Sequence, residues 1–291
     1  MNWDDDGKDW PNRDASQFVQ AGGLRWHVQK TGTGPIIFLL HGTGAATHSW
    51  RALLPLLAKK FTVIAPDLPG HGFSEALPAS QMSLPGMARA TADLLRALKV
   101  KPALVVGHSA GAAILARMCL DAQVAPQALV SLNGAMLPLR GIPGVVFSPV
   151  AKLMAATSFV PRIFAWRAQD PAAIARLISS TGSKLDREGT NFYTQLIRDP
   201  GHVAATLDMM AQWDLVPLER NLSQLQTSLT LVVGANDLTV APSEANRVKA
   251  LASAAQIITL AGLGHLAHEE QPAQVAEIII AAHKKTNEQN V

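Results

Sequence analysis

Residues 103–120 read Ala103-Leu104-Val105-Val106-Gly107-His108-Ser109-Ala110-Gly111-Ala112-Ala113-Ile114-Leu115-Ala116-Arg117-Met118-Cys119-Leu120. An apolar run ending at Val106, a Gly-x-Ser-x-Gly signature and a stretch of small and apolar residues follow one another without a break. That order predicts a buried strand, a sharp turn and a helix from Ala110 to Leu120, the only setting in which Gly-x-Ser-x-Gly is informative. A strand that reverses into a helix within a few residues strains the residue at its apex. Gly107 and Gly111 remove side chains that would collide there. Ser109 would then project its hydroxyl above the C-terminal edge of a sheet.

Outward from this stretch the same alternation recurs. Pro35 opens the apolar run Ile36 to Leu40, followed by a predicted helix from Trp50 to Ala58 and a strand from Thr62 to Ala65. A helix from Met87 to Leu98 precedes the quoted stretch. Strands at Ala128 to Leu132, Leu229 to Val233 and Gln256 to Leu260 follow it, with a closing helix from Val275 to His283. At the start, Phe18 to Gln20 and Leu24 to Val28 flank Ala21-Gly22-Gly23 and predict an edge hairpin. Strands alternating with helices imply an α/β fold with a mostly parallel central sheet covered by helices. Between 135 and 215 the rhythm breaks into a segment rich in Ala, Leu, Met, Pro and Arg. The expected organisation is therefore a core of 1–134 and 216–291 with a helical lid, or cap, inserted over 135–215. Thr286 to Val291 reads as a frayed tail.

Composition narrows the function classes. With 48% hydrophobic and 16% charged residues over 291 positions, the chain can bury a sizeable core and is not intrinsically disordered. The formal charge is +3, yet no run of Lys and Arg exceeds two residues, which argues against nucleic-acid binding. Cys119 is the single cysteine, so no internal disulfide framework exists and a reducing, cytoplasmic setting is expected. Met1 to Asp14 is polar and acidic, without the apolar segment of a secretory signal. No apolar run approaches the roughly 20 residues of a membrane span; Leu137 to Ala165 is apolar but broken by Pro and Gly. Peripheral contact with a membrane stays open.

A serine hydroxyl is protonated at neutral pH and needs a positioned base, itself oriented by a third group. Gly234-Ala235-Asn236-Asp237 follows one late strand and Gly262-Leu263-Gly264-His265 follows the last. Both side chains are thereby placed at C-terminal strand ends, where sites of open parallel sheets collect. Ser109 as nucleophile, Asp237 as orienting acid and His265 as general base and acid form the candidate triad, in the chain order of one hydrolase fold. Asp67 also follows a strand, but its loop, Asp67 to Ser74, reads as structural. Asn133 stands where an acid could stand, and an amide cannot stabilise an imidazolium as a carboxylate does. His268 is the nearest rival base and reads as a surface or supporting residue beside Glu269 and Glu270. His108 should be turned away from the hydroxyl by the elbow.

His41-Gly42-Thr43-Gly44 follows the Ile36 to Leu40 strand. Its Thr43 N–H, with that of Ala110, is the candidate oxyanion hole. The loop lacks the Lys of a phosphate loop and the spacing of a dinucleotide fingerprint, and no two histidines have helical metal-ligand spacing, so neither cofactor nor metal is expected. Gly44, Met136, Trp166 and Trp213 are the candidate substrate-binding residues. They belong to a larger apolar set in or near the insertion, including Leu137, Phe147, Met154, Phe159, Phe164, Met209 and Met210, much of which should pack lid against core. Arg140, Arg162, Arg167 and Arg176 could face solvent or a ligand carboxylate.

The loop at His41, the Asp67 to Ser74 segment, the elbow, Asp237 and Gly264-His265 together resemble the α/β-hydrolase family over nearly the whole chain. Further stretches resemble one branch of it, the magnesium-chelatase accessory (BchO-type) proteins of bacteriochlorophyll biosynthesis. These are Asn2-Trp3-Asp4 with Trp10-Pro11, Met82 to Met87, Ser131 to Ala135, Phe164 to Arg167 and Met209 to Asp214. The resemblance implies a phototrophic bacterium, a place near magnesium insertion into protoporphyrin, a tetrapyrrole as candidate ligand and magnesium chelatase as candidate partner. Three activities fit: a serine hydrolase of an apolar ester or related carbonyl compound, a non-catalytic porphyrin-binding or chelatase-assisting module on the same fold, and a C–C bond hydrolase.

Overall fold

The eight strands of the computed structural model, which describes residues 1–138, 163 and 170–289, form one sheet. They are β1 (Ser16–Ala21), β2 (Leu24–Thr31), β3 (Ile36–Leu40), β4 (Thr62–Pro66), β5 (Leu104–His108), β6 (Ala128–Leu132), β7 (Ser228–Gly234) and β8 (Gln256–Leu260), in the order β1-β2-β4-β3-β5-β6-β7-β8. β1 pairs with β2, and β2 with β4, antiparallel; every other pair is parallel. Chain leaving β3 moves to one side of the sheet and chain leaving β5 to the other. The loops after these two strands therefore part at a switch point and leave a crevice between them.

The unbroken apolar runs are explained by burial on both faces. Phe38 and Leu40 point into a cluster with α3 (Leu84–Leu98) and α4 (Ala110–Leu120), whereas Ile37 and Leu39 point into a second cluster with α2 (Leu53–Ala58) and α11 (Pro272–Gln289). α4 is buried almost all round, so it carries Ala and Gly where an amphipathic helix would carry polar residues. A third cluster joins Trp10, Ala46, Phe73, Phe192 and Leu196, with Trp3 against it. It gives the polar start of the chain, including α1 (Trp3–Asp6), a packed position.

Helix boundaries differ from expectation for local reasons. The helix expected over Trp50 to Ala58 is a 3-10 turn, Thr47–Trp50, followed by α2, which carries Pro55 in its first turn where a missing N–H costs nothing. α3 begins earlier than Met87, because Ser83 caps it through the Gly86 N–H and Pro85 suits its first turn. The closing helix runs on to Gln289, so the tail expected to fray at Thr286 is helical there, in line with the helix propensity of Lys, Glu and Gln.

The excursion from β6 to β7 carries α5 (Pro171–Ser180), α6 (Arg187–Arg198) and α7 (Pro200–Ala211), each opened by an aspartate cap: Asp170, Asp186 and Asp199. The short α8 (Val216–Asn221) leads back to β7, with α9 (Glu244–Leu251) between β7 and β8 and α10 (Ala267–Glu270) after β8. Among the described residues no helix is long and apolar enough to cross a membrane.

Candidate active site

Ser109 sits between β5 and α4 with φ 50° and ψ −119°, a left-handed backbone that costs a serine of order 1–3 kcal/mol. Surrounding bonds hold it there: its N–H donates to the Leu132 carbonyl at 3.0 Å, and its carbonyl accepts from Ala112 and Ala135 at 3.1 Å each. A Cβ on Gly111 would stand 2.1 Å from the Leu40 carbonyl oxygen, so only glycine lets α4 start this close to β3. The predicted strand, elbow and helix are all present.

Asp237 and His265 meet. His265 Nδ1 lies 2.8 Å from Asp237 Oδ2, and both side chains are buried. The same Oδ2 accepts from Asn133 Nδ2 at 2.7 Å, while Oδ1 accepts from the Thr239 and Val240 N–H groups at 2.7 and 2.9 Å. With donors around it, the carboxylate is the acceptor toward Nδ1, which fixes the imidazole proton on Nδ1 and leaves the Nε2 lone pair available. Asn133 thus has a role that sequence reasoning missed. It serves the acid as a hydrogen-bond donor, reaching it because β6 and β7 run in parallel register with Leu132 opposite Val232.

His108, expected to be turned away from the hydroxyl, has a structural task. Its Nε2 donates to the His265 carbonyl at 2.9 Å, tying the loop after β8 to the residue beside Ser109. Burial, with His268 and His265 nearby, pushes its pKa well below the ordinary histidine value, so the ring is neutral. Among the described residues the Ser109 hydroxyl makes no hydrogen bond, to His265 or to any other group. Of the two positions weighed for His268, surface or supporting, it does not take the surface one. It is 1% exposed, packed between Trp50 and His108, and burial holds its pKa at about 3.

The loop after β3 lies against the elbow, since a Cβ on Gly42 would come within 2.8 Å of the Ser109 Cβ. Ala110 opens α4, whose first N–H groups have no partner within the helix, and Thr43 stands half-buried across the crevice with its hydroxyl 3.6 Å from Met209 Sδ on α7. The Gly44 carbonyl is 3.3 Å from His202 Nε2, also on α7, while His202 Nδ1 accepts from the Gly72 N–H at 3.2 Å. That pattern places the proton on Nε2, and burial keeps the ring neutral by holding its pKa at about 4. Asp67 has the structural role read for it, accepting from the His27 ring at 2.8 Å, Thr47 N–H at 2.6 Å and Phe73 N–H at 2.9 Å.

Of the other pocket candidates, Met136 is 1% exposed within the core cluster that also holds Met209, and Trp213 is half-buried against the same cluster. Trp166 lies outside the described residues, as do Phe147, Met154, Phe159, Phe164, Arg140, Arg162 and Arg167. Arg176 is at the surface, 3.2 Å from Asp170. Among the described residues no group of three or more His, Cys, Asp or Glu could hold a metal ion.

The chain belongs to the α/β hydrolase family, whose model matches residues 37–278, from β3 into α11. Within that family it is 39% identical over 267 residues to the magnesium-chelatase 30 kDa subunit of Rhodobacter capsulatus, an alignment covering 89% of this chain and 91% of the relative. Solved structures share its architecture at lower identity. The epoxide hydrolase CorEH superposes with a TM-score of 0.79 at 21% identity, covering 93% of this chain and 98% of its own. An α/β hydrolase fold protein from Burkholderia ambifaria does so with 0.78 at 22%, covering 92% and 98%. At such identities these two likenesses speak to the fold alone.

Proposed function

We propose that the protein is a serine hydrolase of an apolar ester or related carbonyl compound, working as an accessory to magnesium insertion in bacteriochlorophyll biosynthesis. The observation that supports the hydrolase reading is the 2.8 Å contact between His265 Nδ1 and Asp237 Oδ2, two residues tied through His108 and Asn133 to the chain around the strained Ser109. The accessory role rests on the 39% identity to the Rhodobacter capsulatus subunit, and it makes a tetrapyrrole or its precursor the candidate substrate and magnesium chelatase the candidate partner.

In this mechanism Ser109 Oγ attacks the substrate carbonyl as His265 Nε2 takes its proton, and Asp237 stabilises the imidazolium so formed. The Thr43 and Ala110 N–H groups receive the oxyanion, each donor contributing a factor of roughly 10²–10³. His265 then protonates the leaving group. Water, deprotonated by the same imidazole, releases the acyl group and restores the serine. Residues 135–215 act as the lid, and Gly44, Met136, Trp166 and Trp213 contribute to the apolar wall above Ser109.

A serine-reactive fluorophosphonate tests the reading. The folded wild-type protein is expected to be labelled at Ser109, and labelling should vanish in Ser109→Ala and fall at least about 10³-fold in His265→Ala. No labelling of folded wild type would overturn it. A second reading, a porphyrin-holding or chelatase-assisting module without catalysis, is favoured by the name of the Rhodobacter capsulatus relative, a chelatase subunit. It predicts that Ser109→Ala supports magnesium insertion as well as wild type, whereas the hydrolase reading predicts that support is lost.

A further inference from the structure

The β6–β7 excursion touches the candidate triad from an unexpected side. Between α5 and α6 the chain makes a turn, 181–184, that lies against both the acid loop (235–240) and the base loop (261–266). The Thr181 carbonyl accepts from the Leu238 N–H of the acid loop and from the His265 N–H of the base loop, each at 3.2 Å. Ser183, 1% exposed, accepts the Leu266 N–H on its hydroxyl at 2.8 Å. Glu270, at the end of α10, closes the circuit by accepting from the Gly264 N–H at 2.9 Å and from the Lys184 N–H at 3.1 Å.

The three segments meet backbone to backbone. A Cβ on Gly182, which has φ +80°, would lie 1.8 Å from the Asn236 carbonyl oxygen, and one on Gly264 would lie 2.3 Å from the Gly182 carbonyl carbon. Contact this close leaves no room for a side chain or a water layer. The two loops also bond each other directly, Asn236 N–H to the Leu263 carbonyl at 2.8 Å, and the turn is wedged against both.

From this geometry we infer that the turn 181–184 is a positioning element of the catalytic site, with Ser183 and Glu270 as positioning residues that hold Asp237 and His265 at bonding distance. The inference rests on the reading of these two residues, with Ser109, as a triad. Asp237 gets its aim from Asn133, Thr239 and Val240, none of them in the turn, whereas the base loop takes three of its N–H groups, those of Gly264, His265 and Leu266, to the turn or to Glu270. His108, through the His265 carbonyl, and Asn236, through the Leu263 carbonyl, are its further anchors. Loosening the turn should free the imidazole more than the carboxylate, and displacement of a reacting group by about an ångström can cost up to 10²-fold in rate.

Ser183→Ala deletes one acceptor without altering the backbone, and Glu270→Gln, at a half-buried site, is a second variant that retains shape. In fluorophosphonate labelling below the melting temperature, each is expected to lower the rate of covalent capture at saturating probe by roughly 10- to 100-fold while the probe's half-saturation concentration stays within about twofold. A merely structural role would lower the melting temperature and leave the capture rate of the folded protein alone. The proton shared by His265 Nδ1 and Asp237 should give a downfield NMR resonance, and in the variants it should weaken and exchange faster with water. Variants that react at the wild-type rate would overturn the inference and leave the hydrolase reading standing. Wild type that fails to label would overturn the hydrolase reading, and the resonance alone would then decide: unchanged in both variants, it ends the inference; weakened, it supports it.

Discussion

Single residues divide into those that a local signature announces and those whose role exists only in three dimensions. The strained turn at Ser109 and the contact of Asp237 with His265 were legible because each of these residues lies in a short Gly-containing loop after an apolar strand, a pattern visible in one line of text. Asn133 was weighed only as a failed acid, since its bond to Asp237, 104 positions away in the chain, arises from the pairing of β6 with β7. Asp67 was legible as structural, but its partner His27 was not. Burial alone would raise the Asp67 pKa, yet His27 and the Phe73 N–H hold it well below the ordinary carboxylate range. A depressed value means that the stabilisation is present above the ordinary carboxylate pKa and fades as pH falls through and below it. Asp67→Asn is accordingly expected to destabilise the protein by about 3–5 kcal/mol at pH 7, since it breaks a buried hydrogen-bonded pair. In urea titrations the gap from wild type should narrow below about pH 4.

At the scale of elements, apolar runs bounded by Gly or Pro located the strands of the sheet, with boundaries that moved by a residue or a few. The turn at 181–184 was invisible, because nothing in a helical, pattern-poor insertion marks where it will touch distant loops. The docking of α6 onto the core was equally hidden. Tyr193, on α6, donates to Glu269 Oε1 at 2.7 Å, while Arg51 pairs with Glu269 and, through its other guanidinium nitrogen, lies 3.2 Å from Asp186 at the start of α6. His48 and His268 are buried neutral rings in the same region. Burial pushes the Glu269 carboxyl up to about 7 against the pull of Arg51 and Tyr193. The folded state therefore holds this proton more tightly than the unfolded chain. The resulting stabilisation is complete below the ordinary carboxylate pKa and is lost as pH rises through about 7. Between pH 5 and 8 the melting temperature of wild type should drop relative to that of Glu269→Gln, which cannot ionise; parallel curves would contradict this account.

For the whole molecule, one sheet carries two apolar clusters on opposite faces, and consecutive residues of β3 feed them alternately. Both faces share the same backbone ladder, so neither cluster can melt while the other persists. Phe38→Ala is expected to cost about 3–5 kcal/mol and Leu39→Ala about 2–5 kcal/mol. Each should shift a single cooperative denaturation midpoint seen alike by circular dichroism and tryptophan fluorescence. Splitting into two transitions in either variant would show that the faces unfold separately. The sequence placed the candidate residues at C-terminal strand ends of a mostly parallel sheet, whereas the strand order, with its switch point between β3 and β5, was not legible because pairing partners leave no mark in the local pattern.

The crowding around Ser109 has an evolutionary consequence. Beneath the hydroxyl, Gly42 and Gly111 leave no space into which even a methyl group could grow without moving the backbone. Mutation therefore has almost no purchase at this turn, so divergence among descendants of this chain is expected to gather in the α7 residues that face the loop after β3, such as Thr206 and Met209, and to spare the turn itself.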